Sequence, residues 1–169
     1  AHVSACPNHQ LFRTTPISTR ANVAFFGTFG YELDLNKLTE AERALVREQI
    51  AFMKQYRAVI QFGTFYRLLS PFDGGNIMSW MVVSPDKRTA IVGYYKFLNE
   101  VNGPYRRVRL KGLDPALDYV VDGKESHYGD ELMHIGLITT DGSAGECQPD
   151  DRKSCDFDSR IFVLQASDQ

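Results

Sequence analysis

The chain has 169 residues, 43% of them hydrophobic, 12% aromatic and 24% charged, and its 19 Lys plus Arg against 21 Asp plus Glu leave a net charge of -2. These proportions belong to a folded chain with a real core and exclude the disordered, collagen-like and coiled-coil classes. Balanced charge offers no field for a phosphate backbone, and no apolar run approaches the ~20 residues of a membrane helix, so neither nucleic acid nor membrane is an expected partner.

The start, from Ala1 to Gln10, has no initiator Met and no signal-peptide layout, and it reads as the middle of a longer protein. Cys6, Cys147 and Cys155 are odd in number and lack zinc-finger spacing. They read as reduced thiols in a cytoplasmic protein, with a Cys147–Cys155 bridge as the less favoured alternative. Residues 1–37 mix short apolar pieces, among them Val23 to Phe26, with turn residues and show no clear period, so they cannot form a core alone. At Thr39 the signal sharpens, because Thr39 and Glu42 make a capping box. The helix it opens is expected to run to about Gln61 and to stop at Phe62-Gly63. Val46, Ile50, Met53 and Ile60 form one apolar stripe, with Leu45, Phe52, Tyr56 and Val59 beside it, and both stripes are expected to be buried.

After Gly63 the period shortens. Thr64–Leu69, Ser79–Val83, Thr89–Phe97, Tyr105–Leu110, Leu117–Val121 and Arg160–Gln165 read as six strands of an antiparallel sheet or sandwich, separated by turn signals such as Ser84-Pro85-Asp86 and Asp122-Gly123. In one of them Val108 and Leu110 alternate with Arg107, Arg109 and Lys111. Its basic face reads as solvated in preference to anion-binding. Residues 138–158, acidic and glycine-containing, fit neither period and read as a surface insertion; a calcium loop is disfavoured because Asp141-Gly142-Ser143 does not match the pattern.

Chemistry-bearing residues are sparse. His2, Cys6 and His9 would share a helix face, but Pro7 makes the segment a strand and turn, and a fourth zinc ligand is missing. Glu32 and Asp34 alternate with apolar residues and are either a carboxylate pair or loop residues that satisfy backbone N–H groups. Gly129-Asp130-Glu131 carries the same ambiguity. Gly27-Thr28-Phe29-Gly30 is too short to cradle a phosphate and reads as a turn between a strand and the helix.

Longer stretches carry more. His2-Val3-Ser4-Ala5, Pro7-Asn8-His9-Gln10, Arg13-Thr14-Thr15-Pro16 and Phe26-Gly27-Thr28-Phe29-Gly30-Tyr31-Glu32-Leu33-Asp34-Leu35 open a series that continues with Gln61 to Phe72, Trp80 to Ser84, Val92 to Tyr95, Leu110 to Pro115, Tyr128 to Met133 and Arg160 to Leu164. In this order they resemble the C-terminal third of bacterial α-galactosidases of glycoside hydrolase family 36, over residues 1–136 and 159–166. The resemblance implies an α+β architecture, with the last strand and helix of a (β/α)8 barrel in residues 1–61 and a C-terminal antiparallel β-sandwich domain in 62–169. It implies retaining hydrolysis of terminal α-galactosyl residues, as in melibiose and raffinose. The nucleophile and the acid/base would both lie upstream, in Lys-Trp-Asp and Ser-Asp-Asn-Thr-Asp type motifs absent here, so no catalytic residue is expected in this segment and Glu32 and Asp34 lose their candidacy. His2, Ser4, Asn8 and His9 follow the last barrel strand and are candidates for the rim of the substrate pocket. No cofactor or metal is expected. The implied partners are α-galactosides, the rest of the parent chain and further copies, as a tetramer. The alternative is a stand-alone β-sandwich that binds carbohydrate or protein without catalysis.

Overall fold

The computed structural model describes residues 1–73, 75–98, 106–139 and 156–167. Most of the acidic insertion, including Cys147 and Cys155, lies outside the described residues, as do Tyr105 and the turn residues preceding it.

The first part of the chain is a β-α-β-α unit. Strand β1 (Val3–Ser4) and strand β2 (Tyr31–Glu32) pair in parallel, Val3 opposite Tyr31 and Ser4 opposite Glu32. Helix α1 (Ile17–Ala24) connects them and helix α2 (Glu40–Phe62) follows. The expected strand-and-helix barrel end is present, and the structure adds a second parallel strand and α1 to it. Gly27 to Gly30 join α1 to β2, so that turn runs from a helix into a strand, the reverse of the expected direction. Ile17, Ala21 and Ala24 form the buried stripe of α1, and they pack with Val3, Phe25, Val46 and Met53 in one apolar cluster.

Helix α2 begins at the capping box read from the sequence: Glu42 N donates to Thr39 Oγ1 at 3.2 Å and Thr39 N donates to Glu42 Oε2 at 2.8 Å. It ends at Gly63, whose N–H donates to Val59 O at 2.8 Å. A Cβ at Gly63 would sit 2.5 Å from both Val59 O and Val83 O, so only glycine lets the helix pass this closely into the next strand. The expectation that both stripes of α2 are buried is corrected. Val46 and Met53 are buried with Gln49, whereas Leu45 and Ile50 stand 38% and 36% exposed. The helix is covered on one side by α1 and the strands, and no described residue covers the other.

The second part is a six-stranded antiparallel sheet in the order β3 (Thr64–Leu69), β4 (Ile77–Val83), β5 (Thr89–Lys96), β10 (Asp158–Ala166), β7 (Asp118–Val121), β8 (Glu125–Tyr128). A second layer of β6 (Arg107–Val108), β9 (Leu137–Ile138) and helix α3 (Gly129–His134) covers one face around Met81, Val92, Tyr94, Leu110, Tyr119, Leu132 and Leu164. On the other face α1 is pinned by hydrogen bonds: Tyr95 Oη donates to Asn22 O at 2.7 Å, Thr19 Oγ1 to Phe157 O at 2.7 Å, and Asn22 Nδ2 to Ser159 Oγ at 2.9 Å. Residues 90–96 of β5 are accordingly all buried, as befits a strand covered on both faces. β6 is shorter than the strand expected over 105–110, because Leu110 N leaves the ladder and donates to Leu132 O of α3 at 3.0 Å. Its alternation holds, with Val108 and Leu110 buried and Arg107, Arg109 and Lys111 in solvent.

Candidate functional site

Parallel strands place their following loops at one end, the end where α/β architectures build sites. Here those loops are 5–16, after β1, and 33–39, after β2. Side chains alternate along each strand. Val3 is fully buried in the helix-side cluster, and Tyr31 Oη donates to Gln49 Oε1 of α2 at 2.8 Å, so both point toward the helices. Burial pushes the Tyr31 phenol up to about 12. His2, Ser4 and Glu32 therefore share the opposite face, and the His2 imidazole meets the Glu32 carboxylate there. Arg20 of α1 fastens the end of β1: its guanidinium donates to Ser4 O and, through Nε, to Thr15 O at 3.0 Å.

The loop after β1 is closed by Asn8. Its Oδ1 accepts from Gln10 N at 3.0 Å and Leu11 N at 3.1 Å, its carbonyl accepts from Phe12 N at 2.7 Å, and its N–H donates to Arg13 O at 3.0 Å. Asn8 thus spends its side chain on shaping the turn, while His9 is exposed on it. At the tip Phe12 has φ +55° and is 78% exposed, next to Leu11 at 63%.

After β2, Asp34 Oδ1 accepts from Asn36 N at 2.9 Å and caps a short turn of helix at Leu35–Lys37. Of the two readings of Glu32 and Asp34, the second is the one observed for Asp34, and Glu32 is engaged with His2. Asp130 Oδ1 similarly accepts from Glu131 N at 2.7 Å at the start of α3. Glu131 pairs with His127 Nδ1 at 3.1 Å, and Glu125 lies 3.6 Å from Nε2. That imidazole lines a cleft of about 520 Å³ between β8, α3 and β9, away from the loops after β1 and β2. Among the described residues no three metal-binding side chains converge, so His2, Cys6 and His9 are not gathered into a metal site. No described helix is long and apolar enough to cross a membrane.

The structure thus joins His2, Ser4 and Glu32 on one face at the loop end of the parallel pair, with Asn8 and His9 on the adjoining loop. This arrangement can orient and bind polar groups, and it holds no nucleophile–base pair. Sequence reasoning passed over Arg20 and Phe12. Arg20 lies three residues into α1, a helix without a readable period, and Phe12 stands in a run of polar and turn residues where nothing marks a left-handed backbone.

The family model for the glycosyl hydrolase family 36 C-terminal domain matches residues 77–164, and the melibiase model matches residues 1–63. Alpha-galactosidase AgaA of Geobacillus stearothermophilus is 47% identical over 169 residues, which is 100% of this chain and 22% of that protein. A crystal structure of an AgaA variant in complex with raffinose superposes with a TM-score of 0.87 over 99% of this chain and 22% of that one, at 47% identity. The alpha-galactosidase of Lactobacillus brevis gives a TM-score of 0.91 at 45% identity over 100% of this chain and 22% of its own. The chain therefore spans about a fifth of the length of these relatives.

Proposed function

The chain belongs to glycosyl hydrolase family 36, and we propose that it forms the closing part of the catalytic barrel and the C-terminal β-domain of a retaining α-galactosidase acting on melibiose- and raffinose-type galactosides. The observation that carries this reading is the parallel β1–α1–β2–α2 unit running through Gly63 into the two-layered antiparallel domain, all in one continuous match to alpha-galactosidases. In this reading residues 1–61 are barrel and 62–169 are the β-domain.

A retaining glycosidase needs a carboxylate nucleophile and a carboxyl acid/base about 5 to 5.5 Å apart, and both belong upstream of Ala1. The work left to this chain is binding and support. The side of β1 and β2 opposite the helices becomes the barrel interior, so His2, Ser4 and Glu32 line its end. Asn8 and His9 stand on the loop that rims the galactose pocket. The imidazole of His2 engages the Glu32 carboxylate and fixes both side chains on that face. Arg20 fixes the strand end from which that rim departs. The partners in this reading are the upstream part of the same protein, α-galactosides, and three further copies in a cytoplasmic tetramer.

The test is hydrolysis by the full-length protein that carries this chain and by the chain alone. Galactose release from melibiose and raffinose is expected from the first and none above buffer from the second. Turnover by the purified 169-residue chain, or no turnover by the full-length protein, would overturn the proposal.

A further inference from the structure

Among the described residues, the loop between β1 and α1 leaves two large apolar side chains, Leu11 and Phe12, uncovered while its own ends are tied together. Asn8 accepts three hydrogen bonds, from Gln10 N, Leu11 N and Phe12 N, and donates one from its own N–H to Arg13 O; these fix the tip, and Arg20 holds Thr15 at the far end of the loop. The loop's own bonding thus fixes the backbone that carries Leu11 and Phe12, and no described residue covers either side chain. Phe12 also adopts φ +55°, a left-handed backbone that a residue with a Cβ adopts at a cost and glycine adopts freely. Backbone strain of this kind is concentrated at functional positions. The loop leaves the C-terminal end of β1, where the loops of a barrel build the substrate site.

We propose that Phe12, flanked by Leu11, is a specificity-determining residue: an apolar platform for the saccharide units that lie beyond the cleaved galactosyl residue. The inference rests on the α-galactosidase reading above. In raffinose-type substrates the terminal galactose fills the catalytic pocket and the remaining sugars extend outward past the rim. Their C–H faces need a flat apolar partner, and an aromatic ring supplies large contact area at little conformational cost.

The experiment uses the full-length protein with Phe12→Gly and Phe12→Trp, measuring kcat and KM for raffinose, inhibition by free galactose, and melting temperature. Phe12→Gly is expected to lower kcat/KM for raffinose by roughly three- to tenfold, the scale of one aromatic contact, mainly through KM. Galactose inhibition is expected to stay unchanged, because galactose does not reach the platform, and the melting temperature to stay level or rise, because glycine suits φ +55°. Phe12→Trp is expected to keep raffinose turnover near the parent value. Unchanged raffinose kinetics in Phe12→Gly would overturn the proposal, as would a fall in melting temperature with equal losses for galactose and raffinose, which would make Phe12 a packing residue. A parent protein that hydrolyses no α-galactoside would overturn the underlying reading, and this inference with it.

Discussion

Thr39 and Glu42 show how a single spacing carries from sequence to energetics. Both halves of their reciprocal cap form, and Thr39→Ala is expected to destabilise the protein by about 1 kcal/mol in thermal or denaturant unfolding. The backbone N–H and hydroxyl of Thr39 hold the Glu42 carboxyl below its ordinary value near 4.5. A folded-state value lower than the unfolded one means that the cap's charge-assisted part is fully present above that ordinary value and is lost as pH falls through the depressed one. The stability difference between the parent and Glu42→Gln should therefore be visible at neutral pH and close on acidification; a difference that widened in acid would contradict the assignment. Met53 is 5% exposed in the α2 cluster, and Met53→Asp would bury a carboxylate beside Phe52, Val46 and Ile60. Such a change costs several kcal/mol, among the larger single-residue effects. Yield and melting temperature should fall, while the molecules of the full-length protein that do fold keep their KM for a galactoside. Full stability with KM raised tenfold, about 1.4 kcal/mol, would put the helix against substrate instead.

At the scale of elements, α2 and the long strands were readable because each repeats its own period over many residues. Thr64–Leu69 appears as β3 with its expected bounds, and the capping box marks the helix start to the residue. The elements that were not readable are short or held by distant partners. α1 has eight residues, no side-chain cap and polar groups between its buried positions, and its place is set by bonds to Phe157 and Ser159 some 137 residues away. Local sequence contains none of that information. Glu125–Tyr128 is a polar edge strand without alternating apolar residues, and β9 and α3 have two and six residues. The two stripe positions of α2 read as buried but found exposed have a related cause, because periodicity reports which side chains seek cover and not which chain provides it. Leu45 and Ile50, about 140° apart around the helix axis, are the exposed outer edges of the two stripes, one on each flank of the buried Val46, Gln49 and Met53. The isolated 169-residue chain is therefore expected to self-associate, and Leu45→Lys with Ile50→Lys should return it toward monomer in sedimentation analysis. A strictly monomeric parent chain that binds no apolar dye would contradict this.

For the molecule as a whole, the proposal that His2, Ser4, Asn8 and His9 rim a substrate pocket rests on resemblance, since these residues form no spacing that means a sugar pocket. The structure adds placement: strand alternation puts His2 and Ser4 on the side of Glu32, and the two parallel strands send their loops out at one end. In the proposed reading the incomplete catalytic set has a physical explanation, because a barrel assembles its site from several strands and the chain holds one parallel pair. The central claim, that this chain completes a retaining α-galactosidase, is tested most directly by proton NMR of the first product released from p-nitrophenyl α-galactoside by the full-length protein. A double displacement through two carboxyl groups returns the sugar with its original configuration, so α-galactose should appear first and then mutarotate. Initial release of β-galactose, or no release of galactose at all, would contradict the account.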